Sequence, residues 1–118
     1  MSEINFVQKK CEPCEGIGKS LSQTEAKKYL QQLGDHWQMD KSGKVITRDY
    51  VMKNFLAAVQ FINKIAEVAE SENHHPDLHL TGYRKLRIEL STHALGGLSE
   101  NDFIVAAKIN GLPADLKG

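Results

Sequence analysis

From residue 85 to residue 91, polar and apolar side chains alternate without a break: Lys85, Leu86, Arg87, Ile88, Glu89, Leu90, Ser91. A period of two marks a strand with one buried face and one wet face. Leu86, Ile88 and Leu90 must therefore be covered, while Lys85, Arg87 and Glu89 face water or a partner. Leu78 and Leu80 alternate with Asp77, His79 and Thr81 just upstream, and Gly82 ends that run. The two runs predict a hairpin turning near 82–84.

The flanking segments say what covers it. Ser22 and Glu25 have the spacing of a capping box, Leu21 and Ala26 that of a hydrophobic staple. Ala26, Tyr29, Leu30 and Leu33 continue as a helical stripe that Gly34 stops. Trp37 and Met39 alternate with polar neighbours, residues 40–43 make a turn, and 44–51 is rich in β-formers. The alternation of Ile46, Arg48 and Tyr50 is imperfect, so that register stays open. A long helix is predicted from about 54 to 71. Its apolar face is Phe55, Leu56, Val59, Ile62, Ile65, Ala66 and Ala69; Gln60, Asn63, Lys64, Glu67 and Glu70 form the wet side. Ser99 caps a last helix, with Leu98 and Phe103 as staple, and Gly111 and Pro113 close it. The order α-β-β-α-β-β-α predicts a single α+β domain: a four-stranded antiparallel sheet with three helices packed on one face.

The chain has 118 residues, enough for one core. Residues 1–20, with Pro13, Gly16 and Gly18, read as a loosely attached, flexible N-terminal arm. Residues 21–112 form the domain, and 113–118 a C-terminal tail. Fifteen basic residues balance fifteen acidic ones. That argues against direct nucleic-acid binding, which calls for a basic excess, and a chain near zero charge tends to associate. No apolar run approaches the ~20 residues of a membrane span, and the start lacks the pattern of a secretory signal. A soluble cytoplasmic protein is expected, with no membrane partner. Cys11 and Cys14 form a C-x-x-C pair with nothing to complete a redox unit. Two thiols in a leader is the simplest reading, a zinc site completed by histidines the alternative.

Chemistry concentrates between residues 70 and 102, which hold four of the five histidines: His74, His75, His79 and His93. Imidazole exchanges protons near neutrality, so a small-molecule acid/base site is expected. Pro76 forces His75 toward an extended conformation and ends any helix. The hairpin then returns His93 toward His74 and His75, at one rim of the sheet. His79 falls mid-strand on the wet face and is expected to be solvated. Asp102 sits at N3 of the last helix, where capping and catalysis both suit an acid. Glu70 lies in the last turn of the long helix, an unfavourable end for a carboxylate, which suggests a pairing or orienting role. A metal site on His74, His75, His93 and Asp102 is the competing reading. The divergence of adjacent side chains counts against it.

The pattern Glu70, His74-His75-Pro76, Tyr83, Thr92-His93, Gly97-Leu98-Ser99 and Asp102 resembles the signature of the pterin-4a-carbinolamine dehydratases. That family shares the α-β-β-α-β-β-α order. The resemblance spans about residues 21–112 and implies a lyase, a 4a-hydroxytetrahydrobiopterin dehydratase. It converts 4a-hydroxytetrahydropterin to quinonoid dihydropterin and water in pterin recycling, without metal or cofactor. By resemblance, His74 is the principal acid/base, His93 assists, and His75 binds and orients the pterin. Glu70, Pro76, Tyr83 and Asp102 match further substrate-binding or orienting positions. The resemblance also implies a homodimer or homotetramer, with an aromatic amino-acid hydroxylase or a transcription factor as further partner, and a nuclear location in a eukaryote. Two departures, Leu78 where a bulky aromatic is common and one extra residue before Tyr83, fall on the pocket wall.

Overall fold

The computed structural model describes residues 5–13 and 17–118. Helices α1 (Gln23–Leu33), α2 (Phe55–Glu72) and α3 (Glu100–Asn110) alternate with strands β1 (Gln38–Met39), β2 (Ile46–Val51), β3 (Asp77–Thr81) and β4 (Lys85–Leu90). Short 3₁₀ turns occupy Phe6–Gln8 and His93–Leu95. The sheet order is β1-β2-β4-β3, every pair antiparallel. Both expected hairpins form, and β2 against β4 joins them into one sheet.

Leu86, Ile88 and Leu90 are buried, as their alternation requires, while Lys85 and Arg87 are exposed. Register settles the β2 ambiguity. Ile46, Arg48 and Tyr50 stand opposite Leu90, Ile88 and Leu86, so all three take the core face. Arg48 is accommodated at the rim: its guanidinium lies 4.3 Å over the Tyr50 ring and donates to Asn110 Oδ1.

Helix α2 buries a stripe that shares Ile65 and Ala69 with the predicted one and departs from it at the helix start. Ala58, Phe61, Ile65, Ala69 and Glu72 face inward, whereas Phe55 and Leu56 are exposed. More than half of the helix's circumference is apolar, so helical spacing fits several faces and only tertiary contact selects one. Helix α3 is buried at every position from Asn101 to Ala106. It is the centre of the helical layer, between α1, α2 and the N-terminal segment.

That segment is not loosely attached over residues 5–13. Phe6 is buried, its ring 5.2 Å from Tyr29 and 6.0 Å from Phe103. A single aromatic in a Pro- and Gly-containing arm has no periodicity to announce it, yet its burial is enough to anchor the arm. Cys14 lies outside the described residues. At the other end, Lys53 N–H donates to Asp115 O and Lys117 N–H to Val51 O, which pins the tail beside β2.

Candidate active site

Three chain reversals build the site. Helix α2 ends in a Schellman motif: Asn73 is left-handed (φ 52°), its N–H bonds Glu70 O, and His74 N–H bonds Ala69 O. This turn takes the chain off the helix axis at His74. After β4, Thr92 and Gly97 close a loop through Thr92 N–H to Gly97 O at 2.7 Å, with Gly96 left-handed at its tip (φ 69°). Helix α3 then starts at Ser99, whose N–H donates to Asp102 Oδ2 at 3.0 Å.

Asp102 joins the three. Its side chain is fully buried, and Oδ1 lies 2.6 Å from His74 Nε2. Oδ2 accepts from Thr92 Oγ1 at 2.8 Å as well as from the Ser99 amide, and the two hydroxyls are 2.7 Å apart. Capping and histidine contact are thus compatible: one oxygen caps the helix and the other holds the imidazole. The His74 side chain is 11% exposed, so the pair sits just beneath the surface. With Nε2 held by the carboxylate, Nδ1 is the nitrogen left to exchange a proton with a bound molecule.

The remaining candidates distribute around this pair. His75 turns the other way and pairs with Glu70, both largely exposed. Beside them a hollow of about 210 Å³ is lined by Ile65, Ala66, Ala69, Glu70, His75, Pro76 and Leu78. Leu78 is therefore wall. His93 follows Thr92 directly, which puts its backbone at the same corner, and its exposed ring reaches Ser91 Oγ at 3.5 Å. His79 is exposed on the wet sheet face and pairs with Glu89 at 2.8 Å. Tyr83 is not brought to the corner. It sits at the tip of the β3–β4 hairpin, 57% exposed, with φ 56° and Arg84 against its ring. Asp77 pairs with Glu89 and Thr81 with Lys85, so the strand alone, between Pro76 and the turn that carries Tyr83, adds about 13 Å at 3.3 Å per residue.

Thr92 and Ser99 were visible in the sequence as motif and cap, but nothing in spacing alone gives them Asp102 as partner. Glu72 was missed entirely. Its Oε1 accepts from Cys11 N–H at 2.9 Å, and its Oε2 meets Lys108 Nζ. Burial pushes this carboxyl up, and the Lys108 ammonium with the Cys11 amide more than reverses that, leaving it below its ordinary value. Burial, reinforced by Glu72, pushes the Cys11 thiol up to about 12. Among the described residues no three His, Cys, Asp or Glu side chains converge as metal ligands, and His74 and His75 each face a different carboxylate.

Known proteins are similar to this chain over most of its length. The family model described as "Pterin 4 alpha carbinolamine dehydratase" matches residues 19–112. A Legionella pneumophila (strain Corby) protein named "Putative pterin-4-alpha-carbinolamine dehydratase" is 47% identical over 107 residues, 91% of this chain and 94% of that one. A Nitrosomonas eutropha protein of the same name is 44% identical over 106 residues, covering 90% and 91% of the two chains. Among solved structures, a "transcriptional coactivator/pterin dehydratase from Brucella Melitensis" superposes with a TM-score of 0.71 at 33% identity, covering 78% of this chain and 96% of that one. A pterin dehydratase-like protein described as a RuBisCO assembly factor shares the fold alone, with a TM-score of 0.54 at 16% identity. On the family model and these identities, the chain belongs to the pterin 4 alpha carbinolamine dehydratase family.

Proposed function

We propose that the protein dehydrates 4a-hydroxytetrahydropterin by histidine general acid/base catalysis, releasing water and quinonoid dihydropterin for pterin recycling. The observation that carries this reading is the buried Asp102 carboxylate against His74 Nε2 at 2.6 Å. The reaction removes a proton from a ring nitrogen and the hydroxyl from the adjacent ring carbon. A double bond forms between the two atoms, and the hydroxyl leaves as water once protonated. An imidazole fixed by a carboxylate suits this exchange. Asp102 holds the ring with Nε2–H donated, so Nδ1 carries the lone pair that takes a proton, and the imidazolium so formed is stabilised by the same carboxylate.

His93, one residue beyond Thr92, assists at the leaving hydroxyl. His75 binds and orients the pterin, and the apolar hollow beside it offers a flat ring a wall of Pro76 and Leu78. Glu70 holds the His75 ring in turn. The chemistry asks for no metal, so activity should survive a chelator. Among the described residues the outer edge of β3 has no strand partner, which fits edge-to-edge pairing in a homodimer.

The direct test is carbinolamine dehydration by wild type, His74→Ala and His93→Ala. We expect His74→Ala to lose about 10²–10⁴-fold in kcat and His93→Ala less. Full activity in His74→Ala would overturn the assignment. A second reading, an interaction protein, is favoured by the coactivator description of the Brucella relative. Loss of partner binding alone in His74→Ala, with dehydration intact, would favour it.

A further inference from the structure

We propose that residues 5–13 act as a strap that positions the His74–Asp102 pair, working through Glu72 and Asn101. The inference rests on the reading of that pair as the acid/base centre.

The strap crosses the junction where the end of α2 meets the start of α3. The Asn101 amide takes both backbone polar groups of Glu12: Glu12 N–H donates to Oδ1 at 2.9 Å, and Nδ2–H donates to Glu12 O at 2.7 Å. One residue earlier, Cys11 N–H donates to Glu72 at 2.9 Å. Asn101 immediately precedes Asp102, and Glu72 stands two residues before His74. Phe6 adds a third hold by stacking on Phe103, the residue after Asp102. The strap therefore grips the chain on both sides of the carboxylate and just ahead of the imidazole.

These polar groups are costly where they are. Glu72 is 7% exposed and Asn101 3% exposed. A carboxylate in the last turn of α2 meets the negative end of the helix dipole. A buried ion pair is often no better for stability than apolar residues of the same volume. A fixed distance between two helix ends is what the cluster adds. The His74 to Asp102 contact is short at 2.6 Å, and a misplacement of about 1 Å at such a centre costs about 10²-fold in rate.

The test uses the full chain. Asn101→Ala removes both hydrogen bonds to Glu12. Glu12→Pro removes the exposed arm's own donor without touching either helix, and keeps the experiment decisive where Asn101→Ala does not fold. Trp37→Phe, which loses the bond from Trp37 Nε1 to Asn110, serves as a destabilised control elsewhere in the core. Both strap variants should lose about 10-fold in kcat with KM within about twofold. The low-field ring N–H proton of His74 should shift or broaden in their NMR spectra, and Trp37→Phe should change neither. A strap variant with wild-type kcat and an unmoved ring proton, alongside an inactive His74→Ala, overturns the strap and leaves the acid/base reading standing. An equal loss of kcat in Trp37→Phe also overturns it. Full activity in His74→Ala removes the reading on which it rests.

Discussion

Replacing Asp102 by asparagine separates charge and tautomer from shape. The two carboxylate oxygens accept three donors: His74 Nε2–H on one, Thr92 Oγ1–H and Ser99 N–H on the other. Asparagine keeps the outline but has one oxygen and one NH₂. The Ser99 amide is a buried donor that cannot rotate, so an NH₂ placed against it would leave two donors face to face, at a cost of about 1–3 kcal/mol. The oxygen must stay there, and the NH₂ turns to His74. His74 Nε2 then has to accept, which moves the ring proton to Nδ1 and blocks the nitrogen that would take the substrate's proton. Loss of a general base is worth about 10²–10⁴-fold, and kcat should fall into that range with KM little changed. Stability should fall modestly. The fold loses charge assistance, about 1.5 kcal/mol, and opens no cavity, so Tm should drop by about 6 °C. A kcat assay, a melting curve and ¹⁵N spectra of the imidazole together check the chain of reasoning. An Asp102→Asn protein with wild-type kcat and unprotonated Nδ1 would refute it.

Three other perturbations follow from the same geometry. Thr92→Val keeps volume but removes a donor to Asp102 and the partner of the Ser99 hydroxyl. It should cost about 1–3 kcal/mol by urea denaturation and lower kcat less than Asp102→Asn, because Ser99 N–H still holds Oδ2. The Glu72 carboxyl lies below its ordinary value in the fold, so its stabilisation is present above the unfolded value near 4.3 and lost as pH falls through the folded one. Glu72→Gln should be less stable than wild type at pH 7, and the gap should narrow as pH falls below the unfolded value; an unchanging gap down to acid unfolding would sink the assignment. The Cys11 thiol, at about 12, should alkylate at pH 8 roughly 10³-fold more slowly than an unperturbed thiol. Peptide mass mapping of the alkylated protein checks this at Cys11 itself, and rapid labelling there would refute the burial argument.

The strands were the most legible part of the chain, because a period of two leaves one face to bury. Leu86, Ile88 and Leu90 could point only inward. The long helix was legible in extent but not in face, since Phe55 and Leu56 keep helical spacing with Val59 and Ile62 and still end in solvent. In the site, His74 and Asp102 were each nameable, but their contact depends on the Schellman turn at Asn73 and on the start of α3, which local patterns place without orienting. Tyr83 shows the converse. It shares the motif, and its chain position at a hairpin tip carries it away from the other residues. The buried partners of the arm were illegible for a different reason: Glu12 binds through its backbone, and backbone groups have no sequence signature.

Adjacent histidines paired with carboxylates look like a repeated device, yet burial makes them opposites. Asn73 in the left-handed region turns the chain, Pro76 holds His75 extended, and consecutive side chains then leave the backbone in opposite directions. His74 meets a carboxylate with no exposed surface, whereas His75 meets Glu70 in solvent, at side-chain exposures of 55% and 76%. Charge interactions weaken several-fold between a protein interior and water. The inner pair is therefore held in one geometry, with Nε2 committed to the carboxylate, as the proposed proton transfer needs. The outer pair lies in solvent beside the apolar hollow, where the proposal has His75 bind and orient the pterin. One left-handed residue ahead of two histidines thus sends one ring to a buried carboxylate and the other to the surface, the division that the proposed roles require.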